Sequence, residues 1–368
     1  MYAGARIFVA RAGPVRKRAA RKKQYDEKVL IVLVKVWKIL DYICGKRLAP
    51  VLGEVVERLE SFGEIGCDKE TREKLGRISA ATIDRLLAGE RKKHQLRGRS
   101  RTRPGSLLKK QIPMRTFSEW DERTPGFVEI DLVAHDGGFA SGEYLQTLDV
   151  TDVCSGWTEV QAVKNKAQVW VFEALKEIRA RMPFALLGID SDNGSEFINH
   201  QLLRYCQGEH LTFTRSRPYR KNDNCFVEQK NYTVVRRHIG YQRLEGDEPQ
   251  TMLNEIYHYL RLYVNYFQPV MRLASKKRRG AAVKKTYSLA TTPYRKLLQS
   301  TDLTDKQKQK MRKEYIQLNP AELKRRIEAL QEKLLKSAAR TRQKIAMPSS
   351  SSPWHQSNNR FYNQKHLE

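Results

Sequence analysis

The spacing of apolar residues changes near the middle of this 368-residue chain, and that change restricts the possible folds more than any other feature. Three consecutive segments of strand length alternate polar and apolar residues or are continuously apolar. They are Phe127–Ala134, Tyr144–Thr151 and Trp157–Val163, with turns predicted at Gly137-Gly138 and Ser155-Gly156. The pattern predicts a meander of three antiparallel strands.

Helices and strands alternate after this meander. The predicted elements are a helix over Ala167–Arg181, a buried strand over Phe184–Asp190, a helix from Ser195 through Cys206, a short strand over Leu211–Thr214, and a helix that carries Glu228 after the polar loop 215–224. We therefore expect an α/β core with a mixed five-stranded sheet and helices. Its element order is that of an RNase H-like fold.

Three acidic residues occupy distinctive places in this order. Asp131 falls in the middle of the first strand, Asp192 follows the fourth strand, and Glu228 is presented from a helix. A carboxylate within a strand is costly to bury unless a cation or a proton compensates it. Active sites of open α/β sheets also gather at strand ends such as the one before Asp192. The three can converge on hard divalent cations, and two such ions about 3.5–4 Å apart support in-line displacement at phosphorus.

Other interpretations of the acidic residues compete with this one. Any one of the three, taken alone, would be a surface carboxylate. The run around Asp192 does not match an EF-hand, which needs Gly and Glu where this chain has Ser195 and Gln201. Asp190 is the main competitor of Asp192, since both project to the same side of an extended strand. The remaining acids nearby are interpreted as surface or turn residues, namely Asp136, Asp149, Asp152 and Asp223.

The charge of the chain indicates its partner. There are 69 Lys and Arg residues against 41 Asp and Glu residues, a formal net charge of +28. Such an excess repels itself unless a polyanion neutralises it, so we expect nucleic acid as the partner.

Five widely separated cysteines favour a reducing cytosol over a disulfide framework or a zinc ribbon. Charges interrupt the apolar segment 29–43 well short of the roughly 20 residues that span a bilayer, and no secretory signal is recognisable.

Composition divides the chain into seven regions. They are a basic disordered arm (1–25), a helical DNA-binding region (26–89), a basic linker (90–118), the catalytic core (119–268), a basic DNA-contacting segment (269–300), a helical region (301–345) and a disordered tail (346–368). Asp26 is predicted to cap the first helix of the DNA-binding region. The helix after Ser79, with Thr82 and Arg85 away from its apolar stripe, has the pattern of the recognition helix of a helix-turn-helix. An ordinary surface helix in an all-α bundle is the alternative.

Two basic segments and one helix leave alternatives open. The linker contains Arg97, Arg99 and Arg101. It either follows a DNA backbone and contacts its phosphates or is only a solvated connection between domains. Lys276, Lys277, Arg278 and Arg279 belong to a small DNA-gripping module, an extended arm or a solvated loop. Leu323, Ile327, Leu330 and Leu334 follow a helix start at Asn319 and form a packing seam, which is either an intermolecular coiled coil or a contact with the same chain.

The core motifs resemble those of the retroviral-integrase-like DDE transposases of bacterial insertion sequences. The resemblance covers Phe127 to about Gln242. It rests on Ile130-Asp131-Leu132, on Ser191-Asp192-Asn193-Gly194-Ser195-Glu196-Phe197, on the segment Arg217–Asn224 that leads into Val227–Asn231, and on the 35 residues between Asp192 and Glu228. It implies an RNase H-like core in which Asp131, Asp192 and Glu228 bind two Mg²⁺ or Mn²⁺ ions. It also implies cleavage at transposon ends and strand transfer into target DNA.

The same resemblance implies roles for neighbouring residues. Asn193 and Gly194 match the turn that orients the second acid, and Asn231 matches a polar residue one helical turn beyond the Glu. Lys230 is a plausible phosphate contact, and Lys221, Arg236 and Arg237 are further candidate DNA contacts. We expect no structural zinc, because His94 is the only histidine before Asp131.

The expected partners are DNA, as terminal inverted repeats and target, and further copies of the chain. Synapsis of two ends needs at least two protomers, so a dimer or tetramer is expected in the cytoplasm at the nucleoid, without membrane association. Two other functions remain open. One is an RNase H-like nuclease that hydrolyses DNA without joining it, and the other is a domesticated, inactive DNA-binding regulator.

Overall fold

A five-stranded sheet organises the middle of the chain. The computed structural model describes residues 24–93, 123–139, 141–192, 194, 196–216 and 225–346, apart from the side chains of 282 and 340–346. The strands are β1 (Phe127–Ala134), β2 (Gln146–Asp152), β3 (Thr158–Val163), β4 (Gly188–Ser191) and β5 (Thr212–Arg215). Their spatial order is β3-β2-β1-β4-β5.

Strand directions confirm the expected RNase H-like topology. The three strands of the meander pair antiparallel, whereas β4 runs parallel to β1 and β5 runs parallel to β4. The helix α7 (Gln168–Arg181) connects β3 to β4, and α8 (His200–Gly208) connects β4 to β5. Both helices pack on the face of the sheet that presents Val128, Ile130 and Ile189.

The opposite face of the sheet is covered by the helices that follow β5. They are α9 (Cys225–Lys230), a π-helical turn (Asn231–Arg236), α10 (Arg237–Ile239) and α11 (Asp247–Phe267). Alternate residues of β1 point to the two faces, so Glu129, Asp131 and Val133 all lie on the side of α9 and α11. This face therefore carries both apolar packing and the acidic residues of interest.

Two predicted boundaries near the site are wrong. The helix expected from Ser195 begins at His200, because the Asn199 side chain caps it by accepting from the Leu202 N–H at 2.9 Å. The fourth strand begins at Gly188 rather than Phe184, although Phe184 and Leu186 are buried as the apolar pattern required. The longer connection after β4 leaves Asp192 and Gly194 in a turn rather than near a helix.

The N-terminal region is a set of short helices that shares its hydrophobic core with α11. The helices are α1 (Glu27–Ile39), α2 (Gly45–Leu48), α3 (Leu52–Ser61), α4 (Lys69–Arg77), α5 (Ala80–Leu86) and α6 (Ala88–Lys92). Asp26 caps α1 by accepting from the Val29 N–H at 3.1 Å, and Ser79 caps α5 by accepting from the Thr82 N–H at 3.2 Å. Both capping residues are those expected from the sequence.

The C-terminal region consists of a two-stranded hairpin and three helices. These are β6 (Leu273–Arg279), β7 (Ala282–Tyr287), α12 (Pro293–Gln299), α13 (Asp305–Gln317) and α14 (Pro320–Ala346). The seam residues Leu323, Ile327, Leu330 and Leu334 are buried in the same core as α11. The two alternatives for this seam were an intermolecular coiled coil and a contact with the same chain. The structure shows the contact with the same chain. No helix in the described part of the chain is long and apolar enough to cross a membrane.

Adjacent leucines on α14 provide a matched test of this packing. Leu334 is 1% exposed and Leu335 is 52% exposed. We expect Leu334→Ala to lower the free energy of unfolding by about 2–5 kcal/mol, because it leaves a cavity in a packed core. Leu335→Ala should stay within about 0.5 kcal/mol of the parent. Urea denaturation followed by tryptophan fluorescence measures both, and equal losses in the two variants would contradict the packing described.

Candidate active site

Two of the predicted acids meet where β1 and β4 run side by side. Ile130 pairs with Ser191, so the next residue on each segment brings Asp131 beside Asp192. Burial, followed by repulsion from Asp192, raises the pKa of Asp131 to about 8. The pKa of Asp192 is also raised, mainly by burial, with a further contribution from Glu196. The two side chains form an acidic pair at the sheet surface.

Each acid of the pair is held in orientation by a hydrogen bond. Asn231 donates from Nδ2 to Oδ2 of Asp131 at 2.6 Å, and the Leu132 N–H donates to Oδ1 of Asp131 at 2.8 Å. The Gly194 N–H donates to Oδ1 of Asp192 at 2.8 Å. A Cβ at Gly194 would lie 2.9 Å from the same Oδ1, so a side chain there would crowd the carboxylate.

Glu228 stands at the edge of the pair rather than within it. Val227, Lys230 and Asn231 share the face of α9 and its π-helical extension that meets the sheet, which leaves Glu228 exposed on the flank. Its charge acts on Glu129, whose pKa it helps to raise. In the part of the chain that the structure describes, no three His, Cys, Asp or Glu residues form a ready-made metal cluster. The structure thus joins Asp131 to Asp192 and places Glu228 nearby on a separate element.

Sequence reasoning missed Glu129, which anchors the helix that carries Glu228. Its side chain is fully buried, and Oε2 accepts from the Val227 N–H at 2.7 Å. Burial raises the pKa of Glu129 well above its usual range, although hydrogen bonds from the Val227 and Phe226 backbones oppose this. The signal was present in the alternation of β1, since Glu129 and Asp131 are two residues apart and so face the same side.

The prediction that Asp149 is a surface or turn residue is wrong. Asp149 lies in β2 directly opposite Asp131, and its side chain is fully buried. Burial raises its pKa to about 7, while a hydrogen bond from Thr151 and the charge of Lys230 oppose the rise. Burial lowers the pKa of Lys230 to about 8, with Asp149 opposing that shift. The Lys230 side chain is buried and its charge acts on Asp149, whereas its expected contact with phosphate stays a prediction.

The other acids near the site occupy three different environments. Asp190 is buried on β4 and accepts from the Thr214 hydroxyl, which separates it from the more accessible Asp192. Asp152 is the last residue of β2 and is fully buried, so its prediction as a surface or turn residue is wrong; it accepts from the Ser155 N–H at 2.6 Å. Asp136 lies in a turn, as expected, and accepts from the Gly138 N–H at 3.0 Å. Asp223 lies outside the described residues.

The candidate DNA contacts divide by their surroundings. Arg236 donates to the Ala134 carbonyl at 2.7 Å, and Arg237 pairs with Asp41 at 2.6 Å, so both guanidinium groups are engaged within the chain. On α5, Arg85 is exposed and donates to the hydroxyl of the half-buried Thr82 at 3.0 Å. Lys276, Lys277, Arg278 and Arg279 are exposed on β6. Arg97, Arg99, Arg101, Asn193 and Lys221 lie outside the described residues.

The acidic pair has the chemistry of a divalent-cation site. Two neighbouring carboxylates with raised pKa values repel each other and lack full solvation, a situation that a bound cation relieves. Their oxygens are the ligands that Mg²⁺ and Mn²⁺ prefer. Asp131 and Asp192 therefore fit such an ion, and Glu228 is exposed on the neighbouring helix α9.

Comparison with known proteins gives a family match and a curated relative. The model of the "Integrase core domain" family matches residues 121–221, a range that includes Asp131 and Asp192 and ends before Glu228. The uncharacterized protein y4rM of Sinorhizobium fredii (strain NBRC 101917 / NGR234) is 42% identical over 272 residues, which are 73% of this chain and 77% of that protein.

Solved structures of retroviral integrase catalytic cores are also similar to this chain at low identity. The BIV integrase core is 18% identical, covers 47% of this chain and 94% of its own, and has a TM-score of 0.32. The HTLV-2 integrase core, solved in complex with magnesium, is 16% identical, covers 40% of this chain and 90% of its own, and has a TM-score of 0.30.

The raised pKa of Asp131 makes stability depend on pH in a defined direction. In the metal-free protein the unfolded chain ionises this carboxyl near its ordinary value, whereas the folded chain ionises it only near pH 8. Stability is thus lost as the pH rises toward 8 and is not lost further above it. We expect Asp131→Asn to gain stability over the parent between about pH 5 and pH 9 in urea denaturation with EDTA present.

Asp26 provides a control of opposite sign. A side-chain hydrogen bond from Lys74, followed by the Val29 N–H, lowers the pKa of Asp26, so its contribution is lost only as the pH falls through that lowered pKa. Asp26→Asn should therefore differ from the parent by a constant amount between pH 5 and pH 9. A constant difference for Asp131→Asn as well would contradict the burial described for Asp131.

Proposed function

Since this chain belongs to the integrase core domain family, we propose that it is a DDE transposase that cuts transposon ends and joins them to target DNA. The observation that carries the proposal is the acidic pair of Asp131 and Asp192 at neighbouring positions of parallel segments. A core of this family is a polynucleotidyl-transferase fold, and the chain's net charge of +28 suits a DNA substrate. The protein would act as a dimer or tetramer on two ends, at the nucleoid.

The roles of the residues follow from their contacts. Asp131, Asp192 and Glu228 would hold Mg²⁺ or Mn²⁺, which supplies activation of the attacking oxygen and stabilisation of the leaving oxygen at phosphorus. Asn231 fixes the Asp131 carboxylate and the Gly194 N–H fixes that of Asp192. With both carboxylates oriented before substrate arrives, little reorganisation is needed during the reaction.

The helix that presents Glu228 is positioned by buried contacts to the sheet. Glu129 accepts from the Val227 N–H at its first turn, and one turn later the buried Lys230 lies on the same face, where its charge acts on Asp149. These contacts bracket Glu228 on both sides, so the backbone that carries it is held while the carboxylate stays exposed. Glu129 and Lys230 act as positioning residues, without contact to the scissile phosphate.

Substitution of the acids tests the proposed activity. With linear duplexes that carry the element's own ends and with Mg²⁺, Asp192→Asn and Glu228→Gln should each reduce cleavage and joining by about 10²–10³-fold or more. Asp136→Asn, which changes a half-buried acid outside the acidic pair, is the matched control and should retain activity. Nicking without joined product would identify a hydrolytic nuclease. Tight DNA binding with no metal-dependent product from the parent would identify a regulator.

Glu129 allows a test of how the catalytic helix is positioned. Glu129→Gln keeps an oxygen that accepts from the Val227 N–H, whereas Glu129→Ala leaves that buried donor unpaired at a cost of about 1–3 kcal/mol. We expect the Ala variant to join ends about 10–100-fold more slowly and the Gln variant to retain most activity. Joining rates at saturating DNA separate this effect from DNA affinity. Equal rates in the two variants would show that the cap does not position Glu228.

A further inference from the structure

The hairpin β6–β7 stands out because nothing in the described chain covers it. The segment Leu273–Tyr287 contains six basic residues and no acidic residue. Every described side chain of the two strands is exposed except Ser275, which is partly buried. Gly280, with a φ of 59°, belongs to a two-residue turn between Arg279 and Ala282, and a Cβ at this glycine would meet no atom within 4 Å.

Pairing of the two strands places like charges directly opposite one another. Lys276 pairs with Lys285, and Lys277 pairs with Lys284. Like charges at such positions destabilise a sheet, and a two-stranded hairpin is only marginally stable by itself. None of the six basic side chains has an ion pair with a described carboxylate. The charge of the hairpin is therefore left to be neutralised by a polyanion from outside.

The base of the hairpin is fixed beside the helix that carries Glu228. The guanidinium of Arg272 lies over the ring of Phe226, at 5.6 Å from its centroid, and Phe226 is two residues before Glu228. Val270 bridges to Thr291 below the two strands, and Arg47 donates to the Pro269 carbonyl at 2.6 Å. The root of the hairpin is thus held by the core, while its strands extend into solvent.

We propose that β6–β7 is a DNA-binding ribbon that enters the major groove of a duplex next to the active site. Two strands lie about 4.8 Å apart, and the major groove, about 12 Å wide, admits a two-stranded ribbon with its side chains. Basic side chains on both faces then reach the phosphates on either side of the groove. This inference rests on the proposed function only in naming DNA as the partner, and its test requires no catalysis.

The two faces of the ribbon differ in a way that suits a groove. Directly paired residues share a face, so Arg278, Val283 and Lys285 point one way, whereas Lys277, Arg279 and Lys284 point the other. The first face also carries Leu273 and Tyr287, which are 41% and 51% exposed. A mixed apolar and basic face can contact thymine methyl groups and base edges, and the other face, with its basic and hydroxyl side chains, can contact phosphates.

The test compares four ribbon lysines with four basic residues on another surface. The ribbon variant changes Lys276, Lys277, Lys284 and Lys285 to Ser; the control changes the exposed Lys306, Lys310, Arg312 and Lys313 of α13 to Ser. Binding to a 30-bp duplex is measured in EDTA across a range of NaCl concentrations. For the ribbon variant we expect the magnitude of the slope of log K against log[salt] to decrease by about 3–4, because each phosphate contact contributes about 0.9. The control should retain the parent's slope.

Additional variants and groove-binding ligands distinguish the proposal from its alternatives. The Ser variant should keep its fold, because removing opposed lysines relieves repulsion in the hairpin. A second variant, in which the same four lysines become Arg, keeps the charge and should bind like the parent. Methyl green, a major-groove ligand, should displace the protein more readily than the minor-groove ligand netropsin. An unchanged slope in the ribbon variant, tighter binding to single-stranded DNA than to duplex, or preferential displacement by netropsin would each overturn the proposal. Asp192→Asn should keep the parent's slope, so loss of the proposed catalysis and loss of the ribbon remain distinguishable.

Discussion

Burial of carboxylates on one face of the central sheet is the constraint on which the arrangement of the site depends. On β1 and β2, Glu129 and Asp149 are fully buried and Asp131 is half-buried, so all three carboxylates lose solvation that polar or charged partners must replace. One helical segment donates to Glu129 from the Val227 N–H and to Asp131 from the Asn231 amide, and the charge of its buried Lys230 acts on Asp149. Lys230 and Asn231 are spaced three and four residues from Val227, so they form one face of the segment. The cost of burying the acids therefore fixes how the catalytic helix docks, and Glu228, one residue beyond Val227, is left on its flank.

Local sequence information was sufficient for the acidic pair but not for the residues that support it. The apolar pattern predicted β1 and the strand before Asp192, and parallel pairing then brings Asp131 and Asp192 together. Glu129 and Asp149 were missed because polarity alone suggests exposure. Their burial depends on contacts about 80 to 100 residues away in sequence, and no local pattern contains them.

In the flanking regions, too, the local sequence predicted some features, whereas others depend on residues far away in the chain. The capping residues Asp26, Ser79 and Asn319 start helices as expected, because a cap is decided within four residues. The seam of α14 could be recognised from its spacing, but only the structure shows that α11 of the same chain covers it. The basic segment after α11 gave no strand signal from its lysines and arginines, and its two-residue turn at Gly280 made the hairpin possible.

A single carboxylate connects the regions on either side of the core. Asp41, just after α1, pairs with Arg237 of α10 at 2.6 Å and with Lys324 of α14 at 3.0 Å. Its φ of 60° is in the left-handed region, which Asp tolerates better than most residues, and this conformation turns the chain at the end of α1. Because the network is largely buried, loss of either cation would leave a charge poorly compensated. Asp41 thereby adds a buried ionic contact to the hydrophobic core that the N-terminal helices share with α11 and α14, and it links both to the end of the helical segment that carries Glu228.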